Sequence, residues 1–146
     1  MRILITEKIA AESIRFLREQ GFSVDEHLGL GQAEIEQIIM PYDALIVRSV
    51  TQVNRSLLEK AGQLKVVGRA GNGTDNIDVS ACTDKGIIVV NTPEANIMAA
   101  GELAVGLAFA VFRNICQANS LAHQDDFRRG RLIGQELEGK VAGIIG

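Results

Sequence analysis

The sequence predicts an α/β fold built on a parallel sheet, and three observations predict it. Short apolar runs recur at Ile3–Ile5, Phe22–Val24, Ala44–Val47, Leu64–Val67 and Ile87–Val90. Stretches with helical apolar spacing separate them, and glycine, proline or asparagine marks the junctions. Continuous apolar strands alternating with helices imply a parallel sheet covered on both faces. The 146 residues are enough for an ordinary domain core, and 47% hydrophobic content with few aromatics suits an aliphatic interior.

The elements follow in order. After the strand at Ile3–Ile5, Ile14 and Leu17 mark a helix that Gly21 closes as the residue past its C-cap. Phe22–Val24 is the second strand, and Leu28 to Gln32 is a loop. Ile35, Ile38 and Ile39 form the apolar face of a helix stopped before Pro41. Ala44–Val47 is a buried strand. Asn54 is placed to N-cap a helix carrying Leu57 and Leu58, with Gly62 at its end. The fourth strand is Leu64–Val67, a short helix spans Val79 to Lys85 before Gly86, and the fifth strand is Ile87–Val90. A long helix then starts at Asn96, or earlier at Thr92, and is rich in small residues (Ala99, Ala100, Gly101, Ala104, Gly106). Helical glycines cost about 1 kcal/mol each relative to alanine. Close approach of another backbone offsets that cost, whether in a core or in a subunit contact. Arg113 to Gly134 reads as a polar surface excursion, basic at Arg128, Arg129 and Arg131. Gly139-Lys140 to Gly146 reads as the apolar strand and first glycine of a second α/β unit, so the chain is expected to belong to a larger protein.

Ligands of open parallel sheets bind beyond the carboxyl ends of the strands. That rule selects Arg48-Ser49 after the third strand, Arg69 to Gly73 after the fourth, and Asn91-Thr92-Pro93 after the fifth. The middle segment, Arg69-Ala70-Gly71-Asn72-Gly73-Thr74-Asp75-Asn76, is the most informative. Its glycines are expected to turn with positive φ and to let a ligand approach the main chain. Its amides form an anion cradle beside the Arg69 guanidinium, or else it is a plain strand-to-helix turn.

A net charge of −3 argues against a general nucleic-acid surface. No apolar stretch is long enough to span a bilayer, so neither nucleic acid nor membrane is an expected partner. Cys82 and Cys116 have no metal-ligand spacing with His27 or His123, and no metal site is expected. A soluble cytoplasmic protein is the expectation.

The pieces Val47-Arg48-Ser49 with Thr51, Val66 to Asp78, Gly86-Ile87 through Pro93, the Ala-Gly-Glu-Leu helix from Ala100, and Gly139-Lys140 to Gly146 stand in one order across nearly the whole chain. With them the sequence resembles the D-isomer-specific 2-hydroxyacid dehydrogenases, and the Arg-Ala-Gly-Asn-Gly-Thr-Asp-Asn wording points to the branch that acts on 3-phosphoglycerate. The resemblance implies a flavodoxin-like substrate-binding lobe over residues 1–95, incomplete by itself. An interdomain and dimerisation helix with its connection would span 96–138, and 139–146 would begin an NAD-binding Rossmann domain. It implies that Gly71, Asn72 and Gly73 receive the substrate carboxylate, and that Arg48, Ser49 and Arg69 face the substrate and its phosphate. Asn72 and Ala100 would lie beside the nicotinamide, with Gly146 opening the dinucleotide turn. The implied cofactor is NAD, the implied state a homodimer or higher homo-oligomer, and the implied role the first step of serine biosynthesis. The family's catalytic Arg, Glu and His have no match here, so the chain alone is expected to be inactive. The other readings are a dehydrogenase of the glyoxylate or lactate type, and a non-catalytic NAD-sensing protein similar to corepressors of this scaffold.

Overall fold

The computed structural model describes residues 1–145, in two compact units, Met1–Asn96 and Ile97–Gly146. The first unit holds five parallel strands, β1 (Arg2–Ile5), β2 (Ser23–Glu26), β3 (Ala44–Val47), β4 (Val66–Arg69) and β5 (Ile88–Asn91), in the order β2-β1-β3-β4-β5. This is the flavodoxin-like strand order. Helices α1 (Ala11–Glu19), α2 (Gln32–Ile38), α3 (Arg55–Lys60) and α4 (Val79–Asp84) make the crossovers.

Strand side chains alternate between faces, and the core divides accordingly. Leu4, Leu45, Val47 and Val67 point to the side where Ile35, Leu57, Leu58 and Cys82 from α2, α3 and α4 are buried. Ile3, Ile5 and Ala44 point to the other side, where Ile14 of α1 packs with Val24. Each fully buried aliphatic side chain contributes about 1.5–3 kcal/mol, so the first and larger cluster dominates the stability of this unit.

Local signals set the helix ends. Asn54 Oδ1 accepts the Leu57 N–H at 3.0 Å, and Asp78 Oδ1 accepts that of Ala81 at 2.8 Å, each cap contributing about 1 kcal/mol. Gly21 and Gly86 take left-handed φ of 82° and 69° just beyond α1 and α4, where a Cβ would be strained.

The structure differs from the sequence reading, or adds to it, in four places. The fourth strand begins two residues later than expected and runs through Gly68 to Arg69. The ladder with Val47 and Asn91 carries it there, a pairing that apolar run length does not reveal. The sheet is not covered on both faces throughout. On the α1 side, Ile88 and Val90 are 61% and 49% exposed, because the cluster into which α1 packs does not extend to β5.

The other two concern the second unit, which contains α5 (Ile97–Phe112), α6 (Ile115–Ala122) and a short 3-10 turn at Arg129–Arg131. Helix α6 falls within the Arg113–Gly134 surface excursion, where the sequence reading names no helix. It starts after Asn114, whose φ of 51° breaks the line of α5. The expected strand near Val141–Ile145 forms no ladder among the described residues, and Val141 and Ile144 are fully exposed. A strand is defined by its neighbour, and none pairs with this segment. No single helix is long and apolar enough to cross a membrane, though α5 and α6 together, bent by 63°, match a span in length and composition.

Candidate functional site

The carboxyl ends of β1, β3, β4 and β5 meet on one rim, and the polar residues there are held by hydrogen bonds between loops. The tightest set surrounds Glu7, two residues past β1. Its carboxylate accepts four successive backbone N–H groups, from Arg48 at 2.9 Å, Ser49 at 3.0 Å, Val50 at 3.0 Å and Thr51 at 3.1 Å. Burial works against the charge of Glu7, but these four donors outweigh it and hold its carboxyl below the usual range. The hydroxyls of Thr6 and Thr51 bond at 2.8 Å beneath this loop. Buried Asn76 donates through Nδ2 to the carbonyls of Arg48 at 3.0 Å and Thr51 at 2.7 Å.

Next along the rim is the glycine loop after β4. Arg69 is its base. The side chain is only 10% exposed; Nε donates to the Arg48 carbonyl at 2.9 Å, and the guanidinium pairs with Asp75 at 3.3 Å. Neither Gly71 nor Gly73 adopts the expected positive φ. The physical requirement is space instead. A Cβ on Gly73 would lie 2.8 Å from the Arg69 guanidinium and 2.6 Å from Asp75 Oδ1. Gly71 turns its own amide back to the Arg69 carbonyl at 2.9 Å. The amides of Asn72 and Gly73, both exposed, have no acceptor among the described residues. The loop is tied to the fifth strand by Thr92 N–H donating to the Gly71 carbonyl at 3.0 Å and by Asn91 Nδ2 donating to the Asn72 carbonyl.

This geometry makes Gly73→Ala a specific test of packing. The added methyl forces the bonded guanidinium aside, and overpacking of this kind costs about 1–3 kcal/mol. A denaturation midpoint lowered by that amount is expected, with Gly62→Ala, which has open space around it, as the neutral control. An unchanged midpoint for Gly73→Ala would show that the loop is free to move off Arg69.

Below the two loops, a cleft of about 910 Å3 runs between the start of α1 and the open face of the sheet, lined by Lys8, Phe16, Ile46, Arg48, Gly68 and Val90 among others. The Arg48 side chain is exposed there and reaches the Lys8 carbonyl at 3.4 Å, with no carboxylate partner among the described residues. One rim of the unit thus carries an exposed cation, two open amides and a partly apolar cleft, a combination suited to a small organic anion.

The structure therefore brings together Arg48, Ser49, Arg69, Gly71, Asn72 and Gly73. It does so in two classes. Arg48 and the amides of Asn72 and Gly73 are open, whereas Arg69 and the Gly71 amide are engaged within the protein. Ala100 lies exposed on α5 in the second unit, and Gly146 lies outside the described residues. Burial raises the Cys82 thiol and leaves it unreactive, while Cys116 is exposed. Among the described residues no group of side chains is placed to bind a metal, and no histidine lines the cleft. Sequence reasoning missed Glu7 and Asn76. Glu7 was within reach of the carboxyl-end rule, since it follows β1; Asn76 had no local signal, because its partners lie 25 and 28 residues away.

A family model described as "D-isomer specific 2-hydroxyacid dehydrogenase, catalytic domain" matches residues 3–138. The D-3-phosphoglycerate dehydrogenase of Methanocaldococcus jannaschii is 46% identical over 146 residues, which is all of this chain and 28% of that protein. The chain thus spans less than a third of that relative. Among solved structures, the TT0316 protein of Thermus thermophilus matches with a TM-score of 0.87 at 28% identity, over 95% of this chain and 46% of that one. NAD+-bound 3-phosphoglycerate dehydrogenase of Entamoeba histolytica matches with a TM-score of 0.72 at 28% identity, over 94% of this chain and 43% of that one.

Proposed function

This chain belongs to the D-isomer specific 2-hydroxyacid dehydrogenase family, and from that premise we propose that it is the substrate-binding part of an NAD-dependent D-3-phosphoglycerate dehydrogenase. The reaction is oxidation of the 2-hydroxyl of 3-phosphoglycerate, the entry to serine biosynthesis. The observation that carries this reading is the pair of open amides at Asn72 and Gly73 on the same rim as Arg48, which is exposed and has no carboxylate partner among the described residues. A substrate with a carboxylate at one end and a phosphate at the other needs two separate anion receptors. The amides receive the carboxylate, Arg48 the phosphate, and Ser49 flanks Arg48. Arg69 supports the amides from behind.

A nicotinamide dinucleotide, when bound, supplies the hydride acceptor. Asn72 and Ala100 are the residues of this chain proposed to face it, and Gly146 the first of its phosphate turn. The exposed side chain of Asn72 fits that part, because Asn91 holds the Asn72 main-chain carbonyl and the side-chain amide is free to orient. The chain's own contribution is binding and orientation of the substrate at the rim. Among the described residues no histidine lines the cleft to take the proton of the 2-hydroxyl.

We also propose that α5 mediates homodimerisation. It has no buried residue in this chain, and Leu103, Leu107 and Phe109 are 63%, 55% and 48% exposed.

Amide-resolved NMR tests the site. 3-Phosphoglycerate is expected to shift the Asn72 and Gly73 amides of the 146-residue chain, with no NADH formed when NAD is added. Silence of both amides at millimolar ligand would refute the receptor assignment, and NADH formation would refute the expected inactivity of the chain alone. Equal shifts with D-lactate and D-glycerate at equal concentration would favour the lactate or glyoxylate type of relative.

A further inference from the structure

The rim carries two adjacent amide cradles, and only one of them is open. Four N–H groups from Arg48 to Thr51 converge within 3.1 Å on Glu7, whereas the amides of Asn72 and Gly73, both exposed residues, have no acceptor among the described residues. The cradles are joined through one atom. The Arg48 carbonyl accepts both from Arg69, which underlies the glycine loop, and from Asn76. A nest of successive amides binds an anion wherever one is offered, and an incoming phosphate or carboxylate would find the first cradle as suitable as the second.

We propose that Glu7 is a positioning residue, an internal anion that fills the Arg48–Thr51 cradle. It thereby holds the Arg48 side chain over the cleft and directs the substrate carboxylate to Asn72 and Gly73. The role rests on the substrate reading above. It requires a carboxylate at this place rather than bulk or polarity. The amide group of glutamine offers one acceptor oxygen where the carboxylate offers two, and it brings a donor that faces other donors. Without Glu7 the loop loses the acceptor for four amides, and these become a competing anion site on the wrong side of Arg48.

The test uses the 146-residue chain with Glu7→Gln and Glu7→Gly, followed by amide-resolved NMR titration with 3-phosphoglycerate. Both variants are expected to bind at least tenfold more weakly than the parent chain. In Glu7→Gly, the ligand is expected to shift the amides of Arg48 to Thr51, which stay silent in the parent. Formate at about 100 mM, against equal chloride, should bring the affinity of Glu7→Gly to within threefold of the parent. Competition by formate for the open Asn72 and Gly73 amides lowers all affinities alike, so the reading is each variant's affinity relative to the parent at the same formate concentration. For Glu7→Gln that ratio should not change, because its cradle has no vacancy. Grafted onto the remainder of the M. jannaschii relative in place of its matching residues, Glu7→Gln should raise KM about tenfold with kcat altered less than threefold.

Folded variants that bind as the parent does would overturn the proposal, as would loss in Glu7→Gly that formate does not relieve. If Glu7→Gly does not fold, Glu7→Gln decides alone by its affinity and its KM. A parent chain that fails to bind 3-phosphoglycerate overturns the substrate reading. In that case, formate-dependent shifts at Arg48 to Thr51 in Glu7→Gly would still separate an internal anion site from an ordinary loop contact.

Discussion

Replacing Arg69 by alanine is expected to weaken 3-phosphoglycerate and a non-phosphorylated 2-hydroxy acid by the same factor. The sequence places Arg69 beside a candidate phosphate site, but its guanidinium is nine-tenths covered and engaged with the Arg48 carbonyl and Asp75. It touches the glycine loop from beneath, at 3.7 Å from where a Gly71 Cβ would stand. Removing it takes away a charge-assisted hydrogen bond and leaves a void under the two open amides. Loss of such a bond costs on the order of 1.5–3 kcal/mol, or roughly tenfold to a hundredfold in kcat/KM. The measurement is kcat/KM for both substrates in the graft described above. Arg48→Ala is the counterpart, and it should be selective for the phosphorylated substrate because Arg48 is exposed and has no carboxylate partner among the described residues. A selective loss in Arg69→Ala would identify Arg69 as the phosphate receptor. No loss in either substrate would mean that the loop holds its shape without it.

Helix α5 carries the second large effect. Ile97, Met98, Leu103, Val105, Leu107, Phe109 and Val111 are all at least 48% exposed, an apolar surface on every side of one helix. Exposed apolar area of this kind drives association, and covering a leucine side chain is worth roughly 1.5–3 kcal/mol. Sedimentation of the 146-residue chain is expected to be concentration-dependent in the micromolar range. Leu103 and Leu107 lie one turn apart, so replacing both with lysine removes two such contributions and should weaken association by at least a hundredfold. A chain that stays monomeric at hundreds of micromolar, or a double variant that associates as before, would rule out this helix as the contact.

The strand and helix periods alone are sufficient for the α/β class, the approximate extent of every element in the first unit and the rim on which the site lies. Each of these depends on interactions within a few residues. Val47 ends a strand because its run of apolar neighbours ends, and Asn54 caps α3 because its side chain reaches Leu57 three residues on. The carboxyl-end rule then converts strand order into a location for Arg48 and the glycine loop.

What only the tertiary structure decided is which polar groups on that rim are available. Arg48 and Arg69 are alike in the sequence, both arginines at strand ends. They differ because the chain brings Asp75 and the Arg48 carbonyl to one guanidinium and leaves the other over an open cleft. The sequence predicts a positive φ at Gly73, whereas the fold needs glycine there as space for Arg69. Glu7 follows β1 and so falls on the rim by the carboxyl-end rule, but the amides it binds lie 41 to 44 residues away, and nothing local pairs it with them. Hydrogen-bond partners fixed by long-range strand pairing have no sequence period, and the state of a charged side chain depends on those partners. The sequence therefore located the candidate site, while the fold determined which of its charges remain open to a ligand.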